Sequence, residues 1–112
     1  MLNAKNRLKK RKEFAYIYKK GNKVHGRGMS VFFVASKYPT PRIGFSVSNK
    51  IGKAIIRNRI KRQLRHIMRE LVPAIHNYNL IILAHEEILN MDYQTMYSTI
   101  KKLLTKGKIL NA

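Results

Sequence analysis

Ala54-Ile55-Ile56-Arg57-Asn58-Arg59-Ile60-Lys61-Arg62-Gln63-Leu64-Arg65-His66-Ile67-Met68-Arg69-Glu70-Leu71 carries the strongest periodic pattern in the chain. At about 100° per residue, Ile56, Ile60, Leu64, Ile67, Met68 and Leu71 fall on one stripe, which predicts a helix with a single buried face. Arg57, Asn58, Lys61, Arg62, Arg65 and Arg69 occupy the adjoining and opposite sides, and Arg59 stands somewhat apart. Pro73 closes the segment, since proline cannot continue a helix.

Upstream of this helix, Asn49-Lys50-Ile51-Gly52-Lys53 reads as a loop, and before it Ile43, Phe45 and Val47 alternate with Gly44, Ser46 and Ser48 as a strand does. Tyr38-Pro39-Thr40-Pro41 is a strong turn signal. Residues 24–36 favour extended structure interrupted by Gly26 and Gly28, with Val31, Phe33 and Ala35 alternating with Phe32 and Val34, so both faces are apolar. Joined through the Tyr38-Pro41 turn, the two extended stretches are expected to form a hairpin. Residues 12–20 form a short helix stopped by Gly21-Asn22, with Phe14, Ile17 and Tyr18 on one face. A basic arm, about residues 1–11, precedes it.

Downstream, Tyr78-Asn79-Leu80-Ile81-Ile82-Leu83-Ala84-His85 lacks alternation, as expected of a strand covered on both faces in mid-sheet. Asp92 is placed to cap a last helix whose stripe is Met96, Ile100, Leu103 and Leu104 and whose end is Gly107. The expected order is α-β-β-β-α-β-α, counting the Val24 region as a short first strand. This is an α/β chain of one domain over residues 1–112, without repeats or a low-complexity linker.

Against 5 acidic residues stand 24 Lys and Arg, a formal charge of +19 that calls for a polyanionic partner. The longest apolar runs fall far short of the roughly 20 residues of a membrane span, so a soluble, untargeted, cytoplasmic protein with no membrane partner is expected. The absence of Cys excludes disulfides and thiolate zinc sites. Glu13, Glu70, Glu86, Glu87 and Asp92 are scattered, whereas metal-dependent nucleases converge several carboxylates. In extended structure the neighbours Glu86 and Glu87 would point to opposite faces, as ordinary loop acids. His25, His66, His76 and His85 match no metal-ligand spacing, and no spacing pairs them for acid–base work. Gly26-Arg27-Gly28 lacks the rest of any nucleotide-binding pattern.

The helix is therefore where chemistry concentrates. Guanidinium forks grip phosphate with two hydrogen bonds or stack on bases, and Asn58 can bond a ribose hydroxyl or base edge. A solvated basic face would look the same by charge alone. The motif is more specific. Phe45-Ser46-Val47-Ser48, then Lys50 and Gly52 in the loop, then Arg57-Asn58-Arg59, resembles the signature of the bacterial ribonuclease P protein family. Asn6-Arg7-Leu8-Lys9-Lys10, Glu13-Phe14 and Tyr18-Lys19-Lys20-Gly21 are similar to that family's arm and first helix. Asn49 and Lys53 depart from it, standing where many relatives have Lys and Asn.

The resemblance implies a sandwich built on a mixed four-stranded sheet with a left-handed βαβ crossover, where general topology favours the right hand. It also implies a noncatalytic subunit of a ribonucleoprotein endonuclease that removes the 5′ leader of precursor tRNA. In that enzyme the RNA subunit performs a magnesium-dependent hydrolysis, with Mg2+ mainly RNA-bound and the protein monomeric within the complex. By the same resemblance Lys50, Arg57, Asn58, Arg59, Lys61, Arg62 and Arg65 face the catalytic RNA, and Phe14, Tyr18 and Phe32 hold the single-stranded leader. An aromatic pair four residues apart is equally at home in a core. The competing functions are a ribosomal or assembly-type structural RNA-binding module and a stand-alone ribonuclease using histidines.

Overall fold

Leu80, Ile81 and Ile82 are all fully buried at the middle of strand β4 (Tyr78–Ala84), and the sheet is arranged to bury them. In the computed structural model, which describes residues 4–75 and 77–110, the other strands are β1 (Asn22–Gly26), β2 (Met29–Ala35) and β3 (Arg42–Ser46). Their spatial order is β1-β2-β4-β3. β1 and β2, and β2 and β4, pair antiparallel; β3 and β4 pair parallel. His76 and residues 1–3 of the basic arm lie outside the described residues.

The expected hairpin across Tyr38-Pro41 does not form, because β4 lies between β2 and β3. A strand apolar on both faces is most fully buried with a neighbour on each side. The hairpin is instead β1–β2, in which Gly26 pairs with Met29 around Arg27-Gly28. Gly28 adopts φ +73°, a conformation that disfavours other residues. Parallel β3 and β4 are joined by helix α2 (Ala54–Leu71), the crossover such a pair requires.

Alternation along the strands divides the apolar side chains between two layers. Val31, Phe33, Ile43, Leu80 and Ile82 face α2 and helix α3 (Tyr93–Lys106), whose buried sets are Ile60, Leu64, Ile67, Met68 and Leu71, and Met96, Ile100, Leu103 and Leu104. The two expected stripes are thus buried, with Ile56 half-covered at the start of α2. On the opposite face, Ile81 meets Ile17 of helix α1 (Arg11–Lys20) and Leu8, flanked by Phe14, Phe32 and Val34.

The helix ends follow local chemistry. Lys10 N–H donates to Glu13 Oε1 at 3.2 Å, and Thr95 N–H donates to Asp92 Oδ1 at 2.8 Å. α3 ends at Gly107, but Lys108 rather than the glycine takes the left-handed conformation, at φ 59°. The arm is anchored from Asn6 onward: the Asn6 amide donates to Pro41 O at 2.7 Å, and Leu8 N–H donates to Ile43 O at 3.0 Å on the β3 edge. Among the described residues no helix is long and apolar enough to cross a membrane.

Gly44 sets how closely α1 lies on β3, since a Cβ there would clash with the Cζ and Cε2 edge of the Phe14 ring and press on Leu8. Gly44→Ala is expected to cost about 1–3 kcal/mol of stability, as overpacking does. Thermal unfolding of Gly44→Ala, Phe14→Leu and the double variant checks this: the two effects should be less than additive, whereas full additivity would show that the ring does not rest on Gly44.

Candidate nucleic-acid interface

Burial of Ile60, Leu64 and Ile67 holds α2 with its other side outward. Asn58, Arg59 and Arg62 are exposed, Arg57, Lys61 and Arg65 are half-buried, and Lys50 is exposed on the 3-10 turn Asn49–Ile51 that precedes the helix. The residues expected to face RNA therefore occupy one continuous side of α2 and its leading loop. Among the described residues none of these cations pairs with a carboxylate, the ion pairs being Arg27–Glu87 and Arg42–Glu13. Arg57 has a second duty: its Nε donates to Gly52 O at 3.1 Å and braces the loop against the helix. Ile55, which lies off the buried stripe, is 78% exposed beside these cations.

The three aromatics share the α1 face of the sheet without forming one stack. Tyr18 and Phe32 meet edge to face, with centroids 4.9 Å apart, and Lys23 Nζ lies 5.4 Å from the Phe32 centroid. Phe14 sits across β4 from them, over Gly44 of β3. Tyr18 is 39% exposed, and Phe14 and Phe32 are half-buried, so each ring shares in packing while keeping surface free.

The aromatic and cationic surfaces meet at the edge of β3. A crevice of about 110 Å³ is lined there by Phe14, Gly44 and Phe45 together with Arg7, Lys61 and Arg65. Lys61 and Arg65, expected to serve the catalytic RNA, thus border the aromatic expected to serve the leader. A larger groove, about 560 Å³, lies elsewhere, between α3 and the β1–β2 turn, with Arg27, Lys102 and Lys106 and the hydroxyls of Thr95, Ser98 and Thr99 on its walls.

The fold also joins two histidines that no spacing had linked. His25 Nδ1 and His85 Nε2 lie 2.7 and 2.8 Å from the Oγ of fully buried Ser30. Burial, reinforced by the nearby His25 and Lys23, holds the His85 pKa below its usual value. Sequence offered one clue, the alternation of Lys23 and His25 on a strand opposite Ser30 and Phe32, but the partner strand had to be known first. Phe45 at the crevice and exposed Ile55 at the start of α2 adjoin these surfaces without belonging to the expected site residues.

The carboxylates do not converge. Glu13 and Glu87 are paired with Arg42 and Arg27, Asp92 caps α3, Glu70 lies on α2 and Glu86 is exposed. Glu86 and Glu87 sit in the 3-10 turn Glu86–Asn90 rather than in extended chain. Among the described residues no three His, Asp or Glu side chains are grouped to hold a metal ion.

Because Phe14 packs on the sheet and Tyr18 keeps more surface, their truncations should separate. Tyr18→Ala is expected to cost about 0.5–1.5 kcal/mol, the scale of an edge-to-face contact. Phe14→Ala should cost about 2–3 kcal/mol, somewhat below a fully buried Phe. Equal losses in chemical denaturation would contradict this division.

Comparison with known proteins gives the same family from three directions. A family model described as Ribonuclease P matches residues 2–108. The ribonuclease P protein component of Streptococcus thermophilus is 32% identical over 103 residues, covering 92% of this chain and 93% of that protein. That of Caldanaerobacter subterraneus subsp. tengcongensis is 36% identical over 101 residues, covering 89% and 87%. The 2.0 Å structure of the Staphylococcus aureus RNase P protein superposes with a TM-score of 0.89 at 32% identity, covering 95% of this chain and 98% of that one.

Proposed function

Since the chain belongs to the ribonuclease P protein family, and so is a protein component of that tRNA-processing enzyme, we propose that it is a noncatalytic subunit that binds two RNAs side by side. α2 and its loop grip the RNA component through Lys50, Arg57, Asn58, Arg59, Lys61, Arg62 and Arg65. Phe14, Tyr18 and Phe32 hold the 5′ leader of precursor tRNA. The observation that carries this reading is the meeting of an unneutralised cationic side with a half-exposed aromatic face at the edge of β3. A purely structural RNA-binding module would have use for the first surface only.

The physical division of labour follows from the side chains. Arg59 and Arg62 contact phosphate without reading sequence, and each contact releases counterions. Tyr18 and Phe32 offer ring surface on which unpaired bases stack whatever their identity, worth about 1–3 kcal/mol per base. Arg57, tied to Gly52, presents its remaining guanidinium nitrogens from a fixed position. The dispersed carboxylates do not suit a protein-held Mg2+, so the metal the holoenzyme needs is assigned mainly to its RNA, and hydrolysis with it. The protein acts as a monomer within the complex, in the cytoplasm where tRNA matures.

Two experiments test this. Arg59→Ala and Arg62→Ala should each weaken binding to the RNA component and reduce the log–log salt slope by roughly 0.7–0.9, while circular dichroism stays native; unchanged affinity at every salt concentration would remove α2 from the interface. Protein free of RNA should not cleave precursor tRNA, and adding a bacterial ribonuclease P RNA with Mg2+ should give cleavage at a single site. RNA-free cleavage that His25→Gln and His85→Gln both abolish would instead make the protein the catalyst.

A further inference from the structure

We propose that His25, Ser30 and His85 form a proton-dependent site for one backbone phosphate of single-stranded RNA, next to the Tyr18–Phe32 pair. This rests on the reading of the α1 face as the leader-binding face. The register places the site: Lys23 pairs with Phe32 and His25 with Ser30, so all four side chains belong to one face of the sheet. Ser30 is two residues from Phe32, about 7 Å along the strand. A base stacked on Phe32 therefore has its backbone within reach of the histidines.

The chemistry comes from one hydroxyl held between two rings. Ser30 Oγ is 2.7 Å from His25 Nδ1 and 2.8 Å from His85 Nε2, the ring centroids are 5.3 Å apart, and the serine is fully buried. A hydroxyl has one proton to give and lone pairs to accept with, so it donates to one ring and accepts from the other. Each ring's tautomer is then fixed. With both rings neutral, one of the two outer nitrogens, His25 Nε2 or His85 Nδ1, is an N–H and the other is bare. One added proton fills the bare nitrogen, keeps both bonds to Ser30 and turns both outer nitrogens into donors. A second proton would require both inner nitrogens to donate, leaving the buried hydroxyl proton without an acceptor.

The singly protonated pair, with the Lys23 ammonium alongside, is matched to a phosphate and not to a cation. The surroundings point the same way. Lys23 is on the same strand, Arg27 and Glu87 neutralise each other at 3.1 Å, and Glu86 is exposed just beyond His85. Lys102, Lys106 and Asp92 line the groove on the α3 side of His25, and Asp92 is held by Thr95. Burial, with His25 and Lys23 close by, resists charging of His85 in the free protein. A phosphate offsets that resistance, so binding takes up a proton and tightens as pH falls through the histidine range.

The test uses the holoenzyme reconstituted with a bacterial ribonuclease P RNA, measuring affinities for leader-bearing precursor and mature tRNA between pH 8 and pH 6. The preference for precursor should rise about ten-fold as pH falls, the scale of one charge-assisted contact. The log–log salt slope for the precursor should steepen by about 0.7. His25→Gln and His85→Gln, which retain a hydrogen-bonding group beside Ser30, should flatten both trends. In the unmodified protein, imidazole NMR during titration with a single-stranded oligonucleotide should show one histidine pKa rising, a readout that does not depend on the variants folding. A pH-independent preference in a holoenzyme whose preference Tyr18→Ala still lowers would overturn the histidine site alone. A preference that Tyr18→Ala, Phe32→Ala and both glutamine variants all leave unchanged would overturn the leader-binding reading with it.

Discussion

A strand with no polar face must be covered twice, and β4 imposes that condition on the whole chain. Leu80 and Ile82 point to one side and Ile81 to the other, all fully buried. Two long helices satisfy the first side. Among the described residues, the second side receives only the ten-residue α1 and the anchored end of the N-terminal arm. The unequal cover leaves the sheet partly open: beyond α1 it keeps exposed or half-covered groups, including Phe32, Leu83, Ser46 and His25. An open, partly aromatic platform is left over from solving a packing problem.

The same packing turns the charged side of α2 outward. Its cations have no carboxylate partners among the described residues, and at a formal +19 the free protein carries considerable self-repulsion. Neutralising acids would relieve it, but they would also occupy the groups proposed to grip phosphate. Three of the five acids, Glu13, Glu87 and Asp92, are used for local structure, at the start of α1, the β1–β2 turn and the cap of α3. On the proposed reading, stability is sacrificed at the surface offered to a polyanion.

Period and composition made most elements legible. The stripes of α2 and α3, the Asp92 cap and the double-sided burial of β4 all follow from local pattern, because helix and strand periodicities are short-range properties. Pairing is not short-range. The turn at Tyr38-Pro41 suggested a β2–β3 hairpin, and nothing local reveals that a strand from beyond Leu71 will enter between them. The same blindness hid the His25–Ser30–His85 cluster, whose members come from two adjoining strands and the end of a third. The cationic side of α2 was readable as a candidate site because its residues lie on one element. The aromatic face was readable only through family resemblance, since Phe14, Tyr18 and Phe32 come from a helix and a strand whose contact is tertiary.

The sheet order also governs how the chain can mature during synthesis. β4 is the last strand to leave the ribosome, yet it is the one that joins the β1–β2 hairpin to β3. Until it emerges, β2 and β3 have no common neighbour and α2 has no complete surface to pack on. Closing a parallel pair across an intervening helix is intrinsically slow, because the loop entropy is lost before the contacts form. For that interval the nascent chain displays a strongly basic segment with its apolar stripe uncovered. During synthesis this chain therefore passes through a stage in which its most basic segment is also its most exposed apolar one.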